Sequence, residues 1–192
     1  MNYWDTQANR WGVFSVNDED YDEYTAMQAV FIVEQLGVES GLLLDLGCGI
    51  GRLSTAILNE LPAVAVEGYD TSRSMLEAAS DASGPRFTWL FGDLSSVARD
   101  PYDGAWCVLV FQHLLEEPIR QILRDVYAVL QPGGRFVTQW MIDVDQAAPA
   151  ESDVLLLLEE EGFQTLHCED DTDVTGLSFG NWLWVTSEKQ MP

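Results

Sequence analysis

The sequence predicts an α/β fold: a doubly wound sheet of about seven strands, mostly parallel, with an antiparallel strand near the C-terminus. Three observations carry this. Short apolar runs without alternation recur along the first 141 residues, as expected of strands buried on both faces. Stretches with helical apolar spacing separate them. Near the end, two strand-like runs follow one another with no helical pattern between, and such runs pair most simply antiparallel.

Taken in order, residues 1–37 read as an N-terminal arm and helix. The arm holds Tyr3, Trp4, Trp11 and Phe14, then the acidic run Asp18–Glu23. The helical pattern sets in at Thr25 and closes at Gly37. Gly41–Leu46 is the first buried strand, and the glycine loop after it opens a helix through Leu53, Ile57 and Leu61, stopped by Pro62. Val64–Asp70 is the second strand, and Thr71 or Ser72 can cap the helix that follows. Phe87–Phe91 is the third and Ala105–Phe111, wholly apolar, the fourth.

The clearest helix is Glu116–Leu130, with two acids at its positive end, Pro118 in its first turn, and Ile119, Ile122, Leu123, Val126, Tyr127 and Leu130 on one face. Pro132-Gly133-Gly134 ends it before a fifth strand, Arg135–Met141. Residues 38–142 thus form a core, and 143–192 add a linker, a helix over 153–161 and the strand pair 163–168 and 181–187 around an acidic loop at 169–173.

Composition bounds the rest. With 192 residues and 47% hydrophobic composition, one domain with one sizeable core is expected. The longest aliphatic run, Val154–Leu158, is far below the roughly 20 residues of a membrane span, and no signal-like segment opens the chain. A cytoplasmic protein with no membrane partner is the expectation. Three scattered cysteines without a C-x-x-C pair argue against a disulfide framework and a metal site. Nine basic against 32 acidic residues give a net charge of −23, and Lys189 is the one lysine. That field repels phosphate backbones, so nucleic acid is not an expected partner. It suits a protein of high-salt surroundings, where self-repulsion is screened, and equally plain solubility.

The chemistry gathers at strand ends. Asp45-x-Gly47-x-Gly49-x-Gly51 is a glycine loop between buried strand and helix, which lets a ligand approach the backbone. Its third glycine comes one residue earlier than in the dinucleotide fingerprint, and Asp45 would repel a pyrophosphate, so a cationic ligand fits better. Asp70, nineteen residues past Gly51, stands where a carboxylate accepts ribose hydroxyls. Asp93 and the Leu94 N–H can read an adenine edge.

These residues resemble the class I S-adenosylmethionine-dependent methyltransferases. Leu43–Arg52 is similar to the family's first motif, Gly68–Leu76 to its second and Gly92-Asp93-Leu94 to its third. Tyr102–Ala105 with Val108–Leu114 is similar to its strand-four motif, and Leu130–Phe136 to its post-helix turn. The resemblance implies a Rossmann-like sheet and S-adenosylmethionine as cofactor, with S-adenosylhomocysteine as product. It further implies that Gly47, Cys48, Gly49 and Gly51, with Asp45 nearby, hold the methionine end. Asp70, Thr71 and Met75 would lie along the ribose, Asp93 and Leu94 at the adenine, and Phe111 beside the cofactor.

Arg10 is a candidate partner for the cofactor carboxylate. His113 is the candidate general base, with strand-end packing as its bland alternative. Gln112, Trp140 and the arm aromatics Tyr3, Trp4 and Trp11 are candidates for the acceptor wall. A small-molecule acceptor is the expected partner. A protein or peptide acceptor, and cofactor binding without methyl transfer, are the alternatives.

Overall fold

The computed structural model describes residues 18–98, 101–142, 148–176 and 181–190. Its elements run α1 (Asp18–Leu36), β1 (Ser40–Leu46), α2 (Arg52–Glu60), β2 (Ala63–Tyr69), α3 (Arg73–Ser83), β3 (Phe87–Leu90) and the single-turn α4 (Leu94–Val97). Then come β4 (Tyr102–Cys107), a 3-10 turn at Phe111–His113, α5 (Glu116–Val129), β5 (Leu130–Met141) and α6 (Glu151–Glu160). β6 (Phe163–Asp170), the short α7 (Asp171–Thr175) and β7 (Trp182–Lys189) complete the described chain.

One seven-stranded sheet has the order β3-β2-β1-β4-β5-β7-β6. Neighbours from β3 to β5 are parallel, and β7 is antiparallel to both β5 and β6. Only β7 therefore runs against the rest. The strand order reverses between β1 and β4, and a crevice opens outside the carboxyl ends of strands at such a switch point.

Alternation along each strand builds two cores. Leu44, Cys107, Phe136 and Val185 face one layer with α5 and α6, while their chain neighbours Leu43, Trp106, Val137 and Trp184 face the other with α1 and α2. This explains the apolar runs without alternation: both faces of β1 and β4 are covered.

Several boundaries differ from the sequence expectation, four of them with a structural reason. α1 covers Asp18–Leu36, so it takes in the acidic run read as arm. Tyr21 and Tyr24 are the buried residues that hold this first stretch down. β4 stops at Cys107 rather than Phe111, because the backbone turns at Leu109, whose φ of 60° is positive. β5 starts at Leu130, and its pairing with β4 slips between Tyr102 and Gly104, which absorbs Gln131–Gly134. The acidic stretch 169–173 is not a loop: it ends β6 and begins α7, and Asp171 is buried.

Arg86 locks the α2–β2 corner. Its guanidinium donates to the carbonyls of Leu58, Leu61 and Val64, the first two at the negative end of α2. Arg86→Ala is expected to cost about 2 kcal/mol, and thermal unfolding should show a midpoint lower by roughly 4–8 °C. A midpoint within a degree of the parent would refute that role.

Candidate active site

A cavity of about 980 Å³ lies at the switch point, and the glycine loop forms one wall. The loop is tied to the end of β2: the Gly47 and Cys48 N–H groups donate to the Tyr69 carbonyl at 2.7 and 3.0 Å. Gly47 sits at φ 70°, and a Cβ there would stand 2.3 Å from Val110 Cγ2. Only glycine lets the loop and the segment after β4 close on each other here. At Gly49 an added Cβ would meet nothing within 4 Å, so that face of the loop is open.

Asp45 is buried beneath the loop, and its carboxylate accepts from Ser54 Oγ at 2.6 Å. Burial pushes its pKa up to about 7, against the opposing pull of the Ser54 hydrogen bond and the Arg52 charge. Asp70 accepts from the Gly49 N–H at 3.0 Å and the Ser72 N–H at 2.8 Å, so its orientation is fixed by the loop and by the entry to α3. The helix cap itself is Ser72, whose Oγ accepts from the Met75 N–H. Asp93 lies on the rim and accepts from the hydroxyls of Ser95 and Ser96, both at 2.9 Å. Tyr69, on the same lining, donates its hydroxyl to the Gly92 carbonyl at 3.0 Å and steadies that turn.

The cavity brings together Asp45, Gly47, Cys48, Gly49, Asp70, Thr71, Met75, Asp93, Leu94, Gln112 and His113 from among the predicted residues. Gly51 is set one step back, in left-handed conformation as the residue before α2. Phe111 is not on this lining. The turn at Leu109 puts Val108, Leu109 and Val110 on the cavity wall and sends the buried Phe111 ring against Trp140, 4.3 Å away between centroids. Trp140 is likewise absent from this lining. It is buried, its indole N–H donates to Thr138 Oγ1 at 2.7 Å, and it lines a second, smaller cavity. Tyr3, Trp4, Arg10 and Trp11 lie outside the described residues.

Sequence reasoning gave Arg52 and Tyr21 no role, yet both line the cavity. Arg52 donates to Thr25 Oγ1 at 2.9 Å and Gln28 Oε1 at 2.7 Å, and its guanidinium lies over the Tyr21 ring, 5.6 Å from the centroid. Among the described residues it is the one arginine or lysine on the lining. Its position directly after Gly51 was the available signal; its reach to α1 is a tertiary fact. His113 is exposed at the mouth, with Nε2 3.1 Å from Gln112 Nε2, and partial burial lowers its pKa below the ordinary histidine value.

Comparison with known proteins agrees with this geometry. Residues 43–134 match the family model described as "Methyltransferase domain". The ubiquinone/menaquinone biosynthesis C-methyltransferase of Desulfotalea psychrophila is 32% identical over 64% of this chain and 48% of its own length. The malonyl-[acyl-carrier protein] O-methyltransferase of Hahella chejuensis is 30% identical over 55% and 40%. The chain thus spans half or less of the length of these curated relatives. Among solved structures, magnesium protoporphyrin IX methyltransferase of Synechocystis, with bound S-adenosylmethionine, superposes with a TM-score of 0.71 at 21% identity, covering 92% of this chain and 86% of that one. The [4+2]-cyclase SpnF superposes with 0.74 at 18% identity, covering 87% and 81%. The likeness to a methyltransferase domain thus lies in residues 43–134, and the solved structures share the fold.

Proposed function

We propose that this protein transfers the methyl group of S-adenosylmethionine to a small-molecule acceptor. The observation that carries the reading is the convergence of Asp45, Asp70 and Asp93, from the ends of β1, β2 and β3, on one cavity beside an open glycine loop. Three carboxylates at that spacing suit a ligand with a cationic end and a nucleoside, and a volume of about 980 Å³ leaves room for a second small molecule. Relatives named as a ubiquinone/menaquinone biosynthesis C-methyltransferase and a trans-aconitate 2-methyltransferase support the acceptor class.

In this reading Asp45 and Arg52 bracket the methionine end, where an ammonium and a carboxylate must be held. Arg52 then does what the sequence assigned to Arg10. Asp70 takes the ribose hydroxyls, and Asp93 with the Leu94 N–H takes the adenine. The bound cofactor supplies a methyl carbon activated by a positive sulfur. What the chain adds is mainly position, a contribution of up to roughly 7–11 kcal/mol in well-aligned systems. His113, held neutral by its lowered pKa, accepts the proton of an acceptor that arrives protonated.

Calorimetry with S-adenosylmethionine, S-adenosylhomocysteine and NAD tests the cofactor; no binding of the first two, at low or molar salt, ends the reading. Asp70→Ala should weaken binding by about 1–3 kcal/mol through loss of charge-assisted hydrogen bonds. An unchanged affinity would remove Asp70 from the ribose. A second reading, cofactor binding without transfer, draws on the structural likeness to a cyclase. Formation of S-adenosylhomocysteine with a panel of acceptors separates the two.

A further inference from the structure

The smaller cavity, of about 480 Å³, lies on the other side of the 3-10 turn from the cofactor cavity. Its floor is the stacked pair Phe111 and Trp140, and Ile119 of α5 with Val154 and Leu157 of α6 form its apolar walls. It shares Gln112, Leu114 and Met141 with the larger cavity, so the two meet at that turn. At the junction, Gln112 Oε1 is shut off from solvent and has no hydrogen-bond partner among the described residues. A buried carbonyl oxygen left unpaired is destabilising unless something supplies a donor.

Charge narrows the occupant. Among the described residues Arg120 is the one cation on the lining, and its three guanidinium nitrogens are committed to Glu116, Glu160 and Glu161 at 2.8, 2.8 and 3.0 Å. Glu116, Asp153 and Glu160 leave the lining net acidic. A carboxylate or phosphate entering here would meet no available cation and several like charges.

Resting on the methyltransferase reading above, we propose that this cavity is the acceptor subsite, and that it takes an uncharged aromatic or alicyclic body bearing a hydroxyl or amine. The ring system packs on Phe111 and Trp140. Its O–H or N–H donates to Gln112 Oε1 once that amide turns toward the cavity, which seats the heteroatom at the junction with the cofactor cavity. The apolar residues that sequence reasoning placed beside the cofactor (Phe111) and on the acceptor wall (Trp140) thereby serve one pocket. Gln112 is a specificity-determining residue in this arrangement.

The probes are 1-naphthol, naphthalene and 1-naphthoate, titrated by fluorescence into the protein with and without saturating S-adenosylhomocysteine. 1-Naphthol should bind saturably, and about tenfold or more tighter than either the hydrocarbon or the anion. Leu157→Trp fills the cavity from a half-buried helix position outside the cofactor lining. It should weaken 1-naphthol binding about tenfold or more while S-adenosylhomocysteine affinity stays within about twofold. Gln112→Leu keeps the apolar pocket and should erase the preference for 1-naphthol over naphthalene, which also serves should Leu157→Trp fail to fold. Binding that is absent, equal for all three probes, or unchanged in both variants overturns the subsite. If S-adenosylhomocysteine itself fails to bind, the methyltransferase reading falls, and the titrations without it still decide whether the pocket selects an uncharged donor.

Discussion

Replacing Asp171 with alanine is expected to lower the unfolding free energy by about 3–5 kcal/mol. The carboxylate is buried and accepts from Trp184 Nε1 at 2.6 Å, Gln139 Nε2 at 3.0 Å and the Tyr24 hydroxyl at 3.1 and 3.2 Å. Those donors come from β7, β5 and α1, so one side chain joins the last strand, its antiparallel neighbour and the first helix. Alanine strands them away from water. The unfolding midpoint should fall by roughly 10 °C. Asp171→Asn keeps one acceptor oxygen but turns an amide N–H₂ toward donors, and should recover part of the loss. Because α1 carries Tyr21, Thr25 and Gln28 to Arg52, cofactor affinity should fall along with stability. A midpoint shift below about 3 °C would show that the network is dispensable.

Asp45→Asn should do the opposite to stability and greater harm to function. Burial raises this carboxyl from 3.8 to about 7, so between those values the folded chain keeps a proton that the unfolded chain releases. The folded state is therefore favoured at the acid end of this window and loses that advantage as pH rises toward 7; above it, a buried charge stands against folding. Asparagine removes the charge and can keep the Ser54 hydroxyl hydrogen bond. Above about pH 7 the variant should be more stable, by a few kcal/mol at most.

A cationic ligand needs the charge back. Parent affinity for S-adenosylmethionine should fall by up to about tenfold per pH unit below about pH 7, with proton release on binding visible as a dependence on buffer ionisation heat. The variant should bind at least about tenfold more weakly at about pH 8, with little pH dependence. A parent affinity flat from about pH 5.5 to about pH 8.5, or a variant that binds as well, removes Asp45 from the ligand.

The expectations that succeeded rest on local patterns with few rival explanations. A strand covered on both faces reads as an apolar run, as β1 and β4 do. The final strand pair was legible from the absence of a helix-length pattern between its members, and even the one-turn α7 did not disturb it. Failures share one cause: contacts between elements far apart in sequence. An acidic run looks solvated whether or not one member is buried, so nothing local marked Asp171 out from Glu169 and Asp173. Apolar residues all look alike from Ala105 to Phe111, and the turn at Leu109 that sorts Phe111 from Val110 is fixed by the packing of Val110 on Gly47. The acidic strand ends and glycine loop were visible because their chemistry is carried by residue type at fixed spacing. Arg52 was visible in type but not in reach.

The few positive charges have a consequence for proteolysis. Arg52 ties α2 to α1, Arg86 ties α2 to β2, and Arg120 ties α5 to α6. Arg135 donates to the Gln35 carbonyl, and Lys189 donates to the Leu130 carbonyl and lies over Tyr127. Trypsin cuts after arginine and lysine, so these five peptide bonds are offered to the enzyme only when the elements they pin come apart. Arg73, two-thirds exposed on the surface of α3 with only Glu77 of its own helix for a salt bridge, is the described basic residue least tied to another element. Cleavage at the pinned sites, followed in time as salt is raised, would then act as a clock for opening of the folded chain, with Arg73 as its internal standard.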